Sequence, residues 1–218
     1  MRINKFVAAA TGMSRRSADK VIAEGRVVMN GQPVDIGSSV GDKDIVIFDS
    51  RRLELPKTQT ILINKPLGFV CSRNGQGSKT IYELLPQQYH ELKPVGRLDK
   101  DSSGLLVLTN DGDLANTLTH PRFQKNKIYD ATINQPLSEQ HEKLISQPGV
   151  QLEDGISRLQ LLQLDNKRLS WQITIQEGRN RQIRRTFARL GYTVHSLHRI
   201  TFGPYSLEGL PSGAYRML

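Results

Sequence analysis

Hydrophobic residues near the start of the chain follow helical spacing and then change to strand spacing. Ile3, Phe6, Val7 and Ala10 recur on one helical face, and Gly12 is placed to end that helix, since helices commonly close on a left-handed residue. Ser14 is positioned to cap a second helix that turns Ala18, Val21 and Ile22 inward and stops at Gly25. Val27-Val28-Met29 then meets Asn30-Gly31, a pair suited to a tight hairpin because both residues tolerate positive φ. Ile45-Val46-Ile47-Phe48 reads as a further strand. These elements make a small unit over residues 1–48. The polar stretch 49–58, interrupted by Pro56, reads as a linker, and a second domain is expected over 59–218.

In that second domain Thr60-Ile61-Leu62-Ile63 is a strand, broken by Asn64-Lys65-Pro66-Leu67-Gly68, a turn expected to support the loop that follows later. Leu105 to Thr109 is a continuous apolar run, hence a fully buried strand, entered through the polar loop Gly96 to Gly104. A turn at Asn110 to Asp113 leads to a helix over Leu114 to Leu118 that His120-Pro121 ends. Lys127 to Ile133 alternates, with Tyr129, Ala131 and Ile133 on one face. Gly149 to Gly155 reads as a turn-rich connection, and Leu169 to Ile175 as a strand that puts Trp171 in the core. Ile183, Phe187 and Leu190 share a helical face that stops at Gly191, and Gly213 to Arg216 suggests a short closing strand.

Charge adds a partner to this picture. Thirty Lys and Arg against twenty-one Asp and Glu give +9, which suits an anionic ligand such as nucleic acid. The single cysteine, Cys71, excludes an internal disulfide and fits a reducing compartment; no nucleophilic role is expected of it. Phe6 to Ala10 is too short for a signal-peptide core and no stretch could span a membrane, so a soluble cytoplasmic protein is expected. Among the five histidines, His195 and His198 stand three apart on a strand and so on opposite faces, which makes no metal set. With no dinucleotide or phosphate-loop glycine motif, neither metal nor cofactor is expected.

Two places could carry chemistry. Asp99 lies in a glycine-bounded loop at the mouth of the buried strand; pattern alone favours a turn residue, although a loop held by a rigid strand is also where catalytic groups occur. At about 100° per residue, Arg181, Arg185 and Arg189 fall away from the apolar stripe of the late helix, in solvent or on a nucleic-acid partner. Arg184 falls beside the stripe, where a half-buried guanidinium needs a carboxylate.

Gly96-Arg97-Leu98-Asp99, Ser103-Gly104-Leu105-Leu106 and Leu108-Thr109-Asn110-Asp111-Gly112 together resemble the central motif of bacterial ribosomal RNA pseudouridine synthases. Met13-Ser14-Arg15-Arg16 and Val28-Met29-Asn30-Gly31 resemble the S4 RNA-binding domain. The resemblance implies an α+β fold: a small S4 domain joined to a catalytic domain with a mixed, mainly antiparallel sheet and flanking helices. It implies that Asp99 is the catalytic carboxylate, that Tyr129 stacks on the target base and that Arg184, in Gln-Ile-Arg, pairs with Asp99. Thr186 stands where the family more usually has a hydrophobic residue, a departure that bears on packing. The implied reaction is uridine to pseudouridine in ribosomal RNA by a monomer with no cofactor, more in the manner of members acting on large-subunit RNA. Small-subunit RNA and a non-catalytic ribosome-assembly role are the alternatives. RNA contacts are expected from Arg15, Arg16, Lys20 and Arg26 in the small domain and from Arg97, Arg181, Arg185 and Arg189 in the large one.

Overall fold

Helices α1 (Ile3–Thr11) and α2 (Arg15–Ala23) open the chain, each bounded by the residue its sequence supplies for the purpose. Gly12 closes α1 at φ 77°, donating to Ala8 O, and the Ser14 hydroxyl caps α2 by accepting from Ser17 N. Strands β1 (Val27–Met29) and β2 (Gln32–Pro33) form a hairpin through Asn30 and Gly31, at φ 53° and 81°. With β3 (Val46–Phe48) and β4 (Arg51–Arg52) they make a four-stranded sheet in the order β2-β1-β3-β4. Ile3, Val7, Ala18, Ile22, Val27 and Val46 form its core.

The computed structural model describes all residues, 1–218, and divides into two compact units, Met1–Thr58 and Gln59–Leu218. The stretch expected as a linker from residue 49 onward therefore begins inside the small unit. Asp49 and Ser50 reverse the chain at φ 45° and 64°, β4 pairs with β3, and Leu53 is buried against the core with its N–H on Val46 O. An exposed two-residue strand of arginines has no hydrophobic alternation, which is why sequence pattern does not reveal it.

The large unit is built on one nine-stranded sheet. Its strands are β5 (Thr60–Lys65), β6 (Lys93–Val95), β7 (Ser103–Thr109), β8 (Lys127–Ile133), β11 (Gln160–Gln163), β12 (Ser170–Ile175), β13 (Val194–Phe202), β14 (Tyr205–Ser206) and β15 (Tyr215–Met217). A separate hairpin joins β9 (Val150–Leu152) to β10 (Gly155–Ser157), and α3 (Gly112–Thr119), α4 (Glu139–Ser146) and α5 (Gln182–Arg189) flank the strands. The main path runs β11-β12-β8-β13-β7-β5-β15, with β6 on β7 and β14 on β13. Every pairing is antiparallel except that of β7 with β13, so the sheet is mixed and mainly antiparallel. No helix is long and apolar enough to cross a membrane.

Strand β7 is apolar without alternation because both of its faces are covered. Leu106 and Leu108 enter the main core with Ile61, Ile63, Trp171 and Phe187, while Leu105 and Val107 enter a second one with Leu62, Leu118 and Phe202. The segment expected as a simple connection, Gly149 to Gly155, forms instead most of the β9–β10 hairpin, which buries Val150 and Leu152. The break expected at Asn64 comes later, since β5 continues through Lys65.

Thr186 is fully buried in α5, and its hydroxyl lies 2.8 Å from both Gln182 O and Ser157 Oγ. The Gln182 amide donates to the same Ser157 hydroxyl at 3.1 Å. A threonine thus serves at this apolar position because Ser157, on β10, gives its hydroxyl a partner.

Where β7 meets β13, Gly104 faces Arg199. A Cβ on Gly104 would lie 2.3 Å from Arg199 O and 2.5 Å from Arg199 N, and its φ of 106° is one that side chains rarely adopt. Gly104→Ala is accordingly expected to destabilise the large unit by about 2–3 kcal/mol, read from urea unfolding followed by the buried Trp171. A midpoint equal to that of the wild type would show that the two strands are free to separate.

Candidate active site

The loop from Gly96 to Ser102 enters β7 as a tight turn, with Ser102 N donating to Asp99 O at 3.1 Å. It is clamped from behind by the end of β5 and the residues after it. Lys65 is fully buried, and its Nζ donates to Ser102 O at 2.7 Å and to Pro66 O at 2.9 Å. Gly68 N donates to Lys100 O at 2.8 Å, and Cys71 Sγ lies 3.3–3.4 Å from the backbone O and N of Leu98. Burial pushes the Lys65 ammonium down and the Cys71 thiol up from their ordinary values. The Asn-Lys-Pro segment therefore supports the loop, and Cys71 is part of that support.

Opposite the loop stands the start of α5. Arg181 precedes the helix in the left-handed conformation, φ 46°, so its side chain does not point where a helical projection would send it. It turns to the loop, donating from Nη1 and Nη2 to the two carboxylate oxygens of Asp101 at 2.8 Å each, with Nη1 3.4 Å from Asp99 Oδ2. Arg184 lies at the edge of the core, as its place on the helix requires, but its partner is not Asp99. It donates from Nη1 to Val194 O and from Nη2 to Asp101 O, both at 2.6 Å, and its Nε is 3.3 Å from Asp101 Oδ2. The carboxylate–arginine pair expected between Asp99 and Arg184 is thus replaced by Arg181 against Asp99 and Arg184 against Asp101.

Asp101 is consequently an anchor. Its hydrogen bonds from Arg181, aided by the nearby Arg184 charge, hold its carboxyl below the ordinary range, and both of its oxygens are committed. Asp99, with its side chain 32% exposed, has the single ion-pair contact with Arg181.

The loop and the helix face each other across a cleft of about 520 Å³, within the usual range for ligand sites. Asp99, Tyr129, Arg181, Arg184 and Arg97 all line it, together with Arg199. Tyr129 is buried, and its hydroxyl receives a long hydrogen bond of 3.5 Å from Arg199. The other carboxylate on the wall, Glu177, is bonded through Oε1 to the Gln182 amide and to Arg179. A wider depression of about 980 Å³ shares Glu177 and Gln176 with this cleft and is lined further by Lys143, Arg158 and Gln160. Glu177 is its sole carboxylate and no aromatic ring lines it, so the candidate residues of the sequence converge in the smaller cleft.

The remaining basic residues divide into committed and available. Arg185, expected on RNA, instead binds Asp154 Oδ2 at 2.7 Å and Asn180 O at 2.8 Å. Arg26, expected on phosphate, instead grips both oxygens of Asp49, reaches Glu24 at 3.2 Å and covers the Phe48 ring. Both act as ties for turns, Arg185 at Asp154 and Arg26 at Asp49. Arg16, Arg97 and Arg189 are exposed; Arg15 is exposed and donates to Asn4 Oδ1 at 3.2 Å, and Lys20 lies 3.9 Å from Glu24. Sequence reasoning missed Arg199. The available signal was an arginine two residues after Leu197, and so on the same face of β13, although register shifts in β13 blur that alternation.

The family model for RNA pseudouridylate synthase matches residues 59–189, and that for the S4 domain matches residues 1–46. Over its whole length the chain is 37% identical to the ribosomal large subunit pseudouridine synthase B of Bacillus subtilis, covering 91% of that protein. It is 32% identical to the ribosomal small subunit pseudouridine synthase A of Vibrio vulnificus, covering 96% of it. A crystal structure of a pseudouridylate synthase aligns along the entire chain with a TM-score of 0.71 at 32% identity, 96% of that structure being covered. Matched by the synthase model over most of its large unit, and similar to such enzymes from end to end, the chain belongs to the RNA pseudouridylate synthases and carries an S4 domain ahead of the synthase fold.

Proposed function

We propose that this enzyme isomerises uridine to pseudouridine in ribosomal RNA, at a site in the large-subunit RNA, with Asp99 as the catalytic carboxylate. The observation that carries the reading is the division of labour between the two loop carboxylates. Asp101 is consumed by two arginines, which leaves Asp99 as the cleft carboxylate with oxygens to spare. The choice of RNA is supported by the relatives that are ribosomal synthases, and by the Gly149 to Gly155 and Gly178 to Gln182 stretches, which resemble members acting on the large subunit.

The reaction breaks the N1–C1′ bond, the electron pair leaving on uracil N1. Asp99 then either bonds C1′ or takes the C2′ proton, and both routes call for its ionised form. The base turns over in place, C5 bonds C1′, Asp99 is released or returns its proton, and the hydrogen of C5 is exchanged for one on N1. Tyr129 offers the flat surface against which the base is held. A uridine within a helix must first be unstacked, which costs a few kcal/mol; Arg97, Arg189 and the wider basic depression offset this by holding the flanking backbone. Arg15, Arg16 and Lys20 hold RNA through the S4 domain.

Pseudouridine mapping in both ribosomal RNAs, from cells with and without this gene, tests the substrate: one large-subunit position is expected to revert to uridine. Loss of a small-subunit position instead would transfer the enzyme to that RNA. Asp99→Asn is expected to abolish turnover while RNA affinity persists, and near-normal turnover would refute its role.

Arg181→Lys and Arg184→Lys are expected to lower turnover at saturating RNA by about 100-fold, because a lysine cannot reproduce the two-point grip that positions the loop. Arg185→Lys, whose partner is the surface Asp154, should leave turnover unchanged. Equal losses in all three would dismiss the loop as the point of action.

Residues 59–218 alone are expected to fold, since their core is their own. Their plot of log affinity against log salt should be shallower than that of the full chain, by about 0.7 for each RNA phosphate that the S4 domain neutralises. An unchanged slope would make the exposed Arg15, Arg16 and Lys20 ordinary solvated charges.

A further inference from the structure

The reaction as described leaves Arg199 unused. Arg199, on β13, is 2% exposed yet lines the cleft beside Tyr129 and Phe202. Its Nε donates to Leu105 O at 2.7 Å and its Nη1 to the Tyr129 hydroxyl at 3.5 Å, while Nη2 is buried and makes no hydrogen bond. The guanidinium lies 4.8 Å from the centre of the Phe202 ring and 5.9 Å from that of Tyr129, and it makes no ion pair with any carboxylate. Its charged neighbour on that wall, Lys127, is another cation, whose Nζ is spent on the backbone oxygens of Gln176 and Glu177 at 3.2 and 3.4 Å.

A buried cation with no counter-ion is costly, and an apolar residue of similar size would avoid that cost. The chemistry of the cleft supplies a reason to keep it. Uracil is neutral when it enters, but when N1–C1′ breaks, the bonding pair stays on the base and the negative charge spreads over its two carbonyl oxygens. A cation uncompensated before cleavage and paired during it lowers the barrier, because it stabilises the later state more than the earlier one. We propose that Arg199 receives this charge, its guanidinium donating to a uracil carbonyl oxygen as the bond to the ribose breaks. The charge is discharged when the pair returns through C5 to C1′, the C5 proton departs to solvent and N1 is protonated. Tyr129 supports the same arrangement by sharing the guanidinium through its hydroxyl. The inference rests on the reading of the Asp99 cleft as the place of reaction.

The test is single-turnover kinetics of the full chain on deproteinised ribosomal RNA from cells lacking this gene, labelled with tritium at uridine C5, whose release reports the new bond. Arg199→Met is expected to slow the step by about 100-fold, the scale of a missing oxyanion donor, with RNA affinity unchanged. Arg199→Lys, which keeps the charge, should recover part of the rate. A second substrate carries 5-fluorouridine, and cleavage of its N1–C1′ bond is followed after digestion to nucleosides. Fluorine stabilises the same anion, so the penalty of either variant should shrink there.

A wild-type rate in Arg199→Met, a loss carried wholly by affinity, or equal penalties on both substrates would each overturn the assignment. If Arg199→Met fails to fold, the comparison of substrates in Arg199→Lys decides alone. Asp99→Asn in the same assay separates the two claims: turnover in that variant refutes the site, whereas its silence beside a fully active Arg199→Met refutes only the role of Arg199.

Discussion

The backbone of β13 passes so close to Gly104 that no side chain fits between them, and the cleft lined by Asp99 is hung on that contact. It is the one place where the large sheet pairs two strands in parallel. Immediately before this pairing, Ser102 closes the turn that carries Asp99, so the position of the carboxylate is inherited from the strand. On the β13 side the same pairing delivers Arg199, whose Nε is held by Leu105 O, one residue beyond Gly104. His198 and Ser103 lock the junction with a 2.8 Å side-chain hydrogen bond. An acid and a cation from distant parts of the chain are thereby set in one cleft by backbone geometry, with little left to side-chain conformational choice.

Around that frame the charges are layered. Asp101 binds Arg181 and Arg184 and so ties α5 to the loop before β7; Lys65 ties β5 to the same loop from within the core. These ties cost desolvation, most for Lys65 and Arg184, which burial pushes below their ordinary pKa values. What they return is rigidity in the loop that carries Asp99, which suits the catalytic role proposed for it, since such a group needs supports that are themselves hydrogen-bonded. The polar cluster of Thr186, Ser157 and Gln182 plays a similar part behind the helix, fixing α5 on the β9–β10 hairpin.

The elements were largely legible in the sequence because each depends on its own residues. The hairpin at Asn30-Gly31, the caps at Gly12 and Ser14, the two-faced burial of Leu105 to Thr109 and the inward phase of Tyr129, Ala131 and Ile133 all follow from local chemistry or from periodicity. Departures arose where local signal was faint: the arginine strand at 51–52 pairs with β3, and the short hairpin at 150–157 is held by Arg179, Gln182, Arg185 and Thr186 from outside its own few residues.

By itself, then, the sequence marked the hydrophobic segments and the place of Asp99 at the mouth of a buried strand, since backbone preference and hydrophobic period act over a few residues; the mixed sheet was implied only by the family resemblance, because strand order joins residues far apart in the chain. Which arginine meets which carboxylate was decided only by tertiary structure. Arg181 reaches Asp99 because one left-handed residue starts the helix late, Arg184 is drawn to Asp101, and Arg185 and Arg26 are claimed by Asp154 and Asp49. Long charged side chains have many rotamers and choose among partners within several ångströms, so their pairing is settled by distances between elements that no periodicity encodes. Arg199 is the clearest case: in the chain it is one more basic residue, and only the packing of β13 against β7 makes it a buried, unpaired charge facing the cleft.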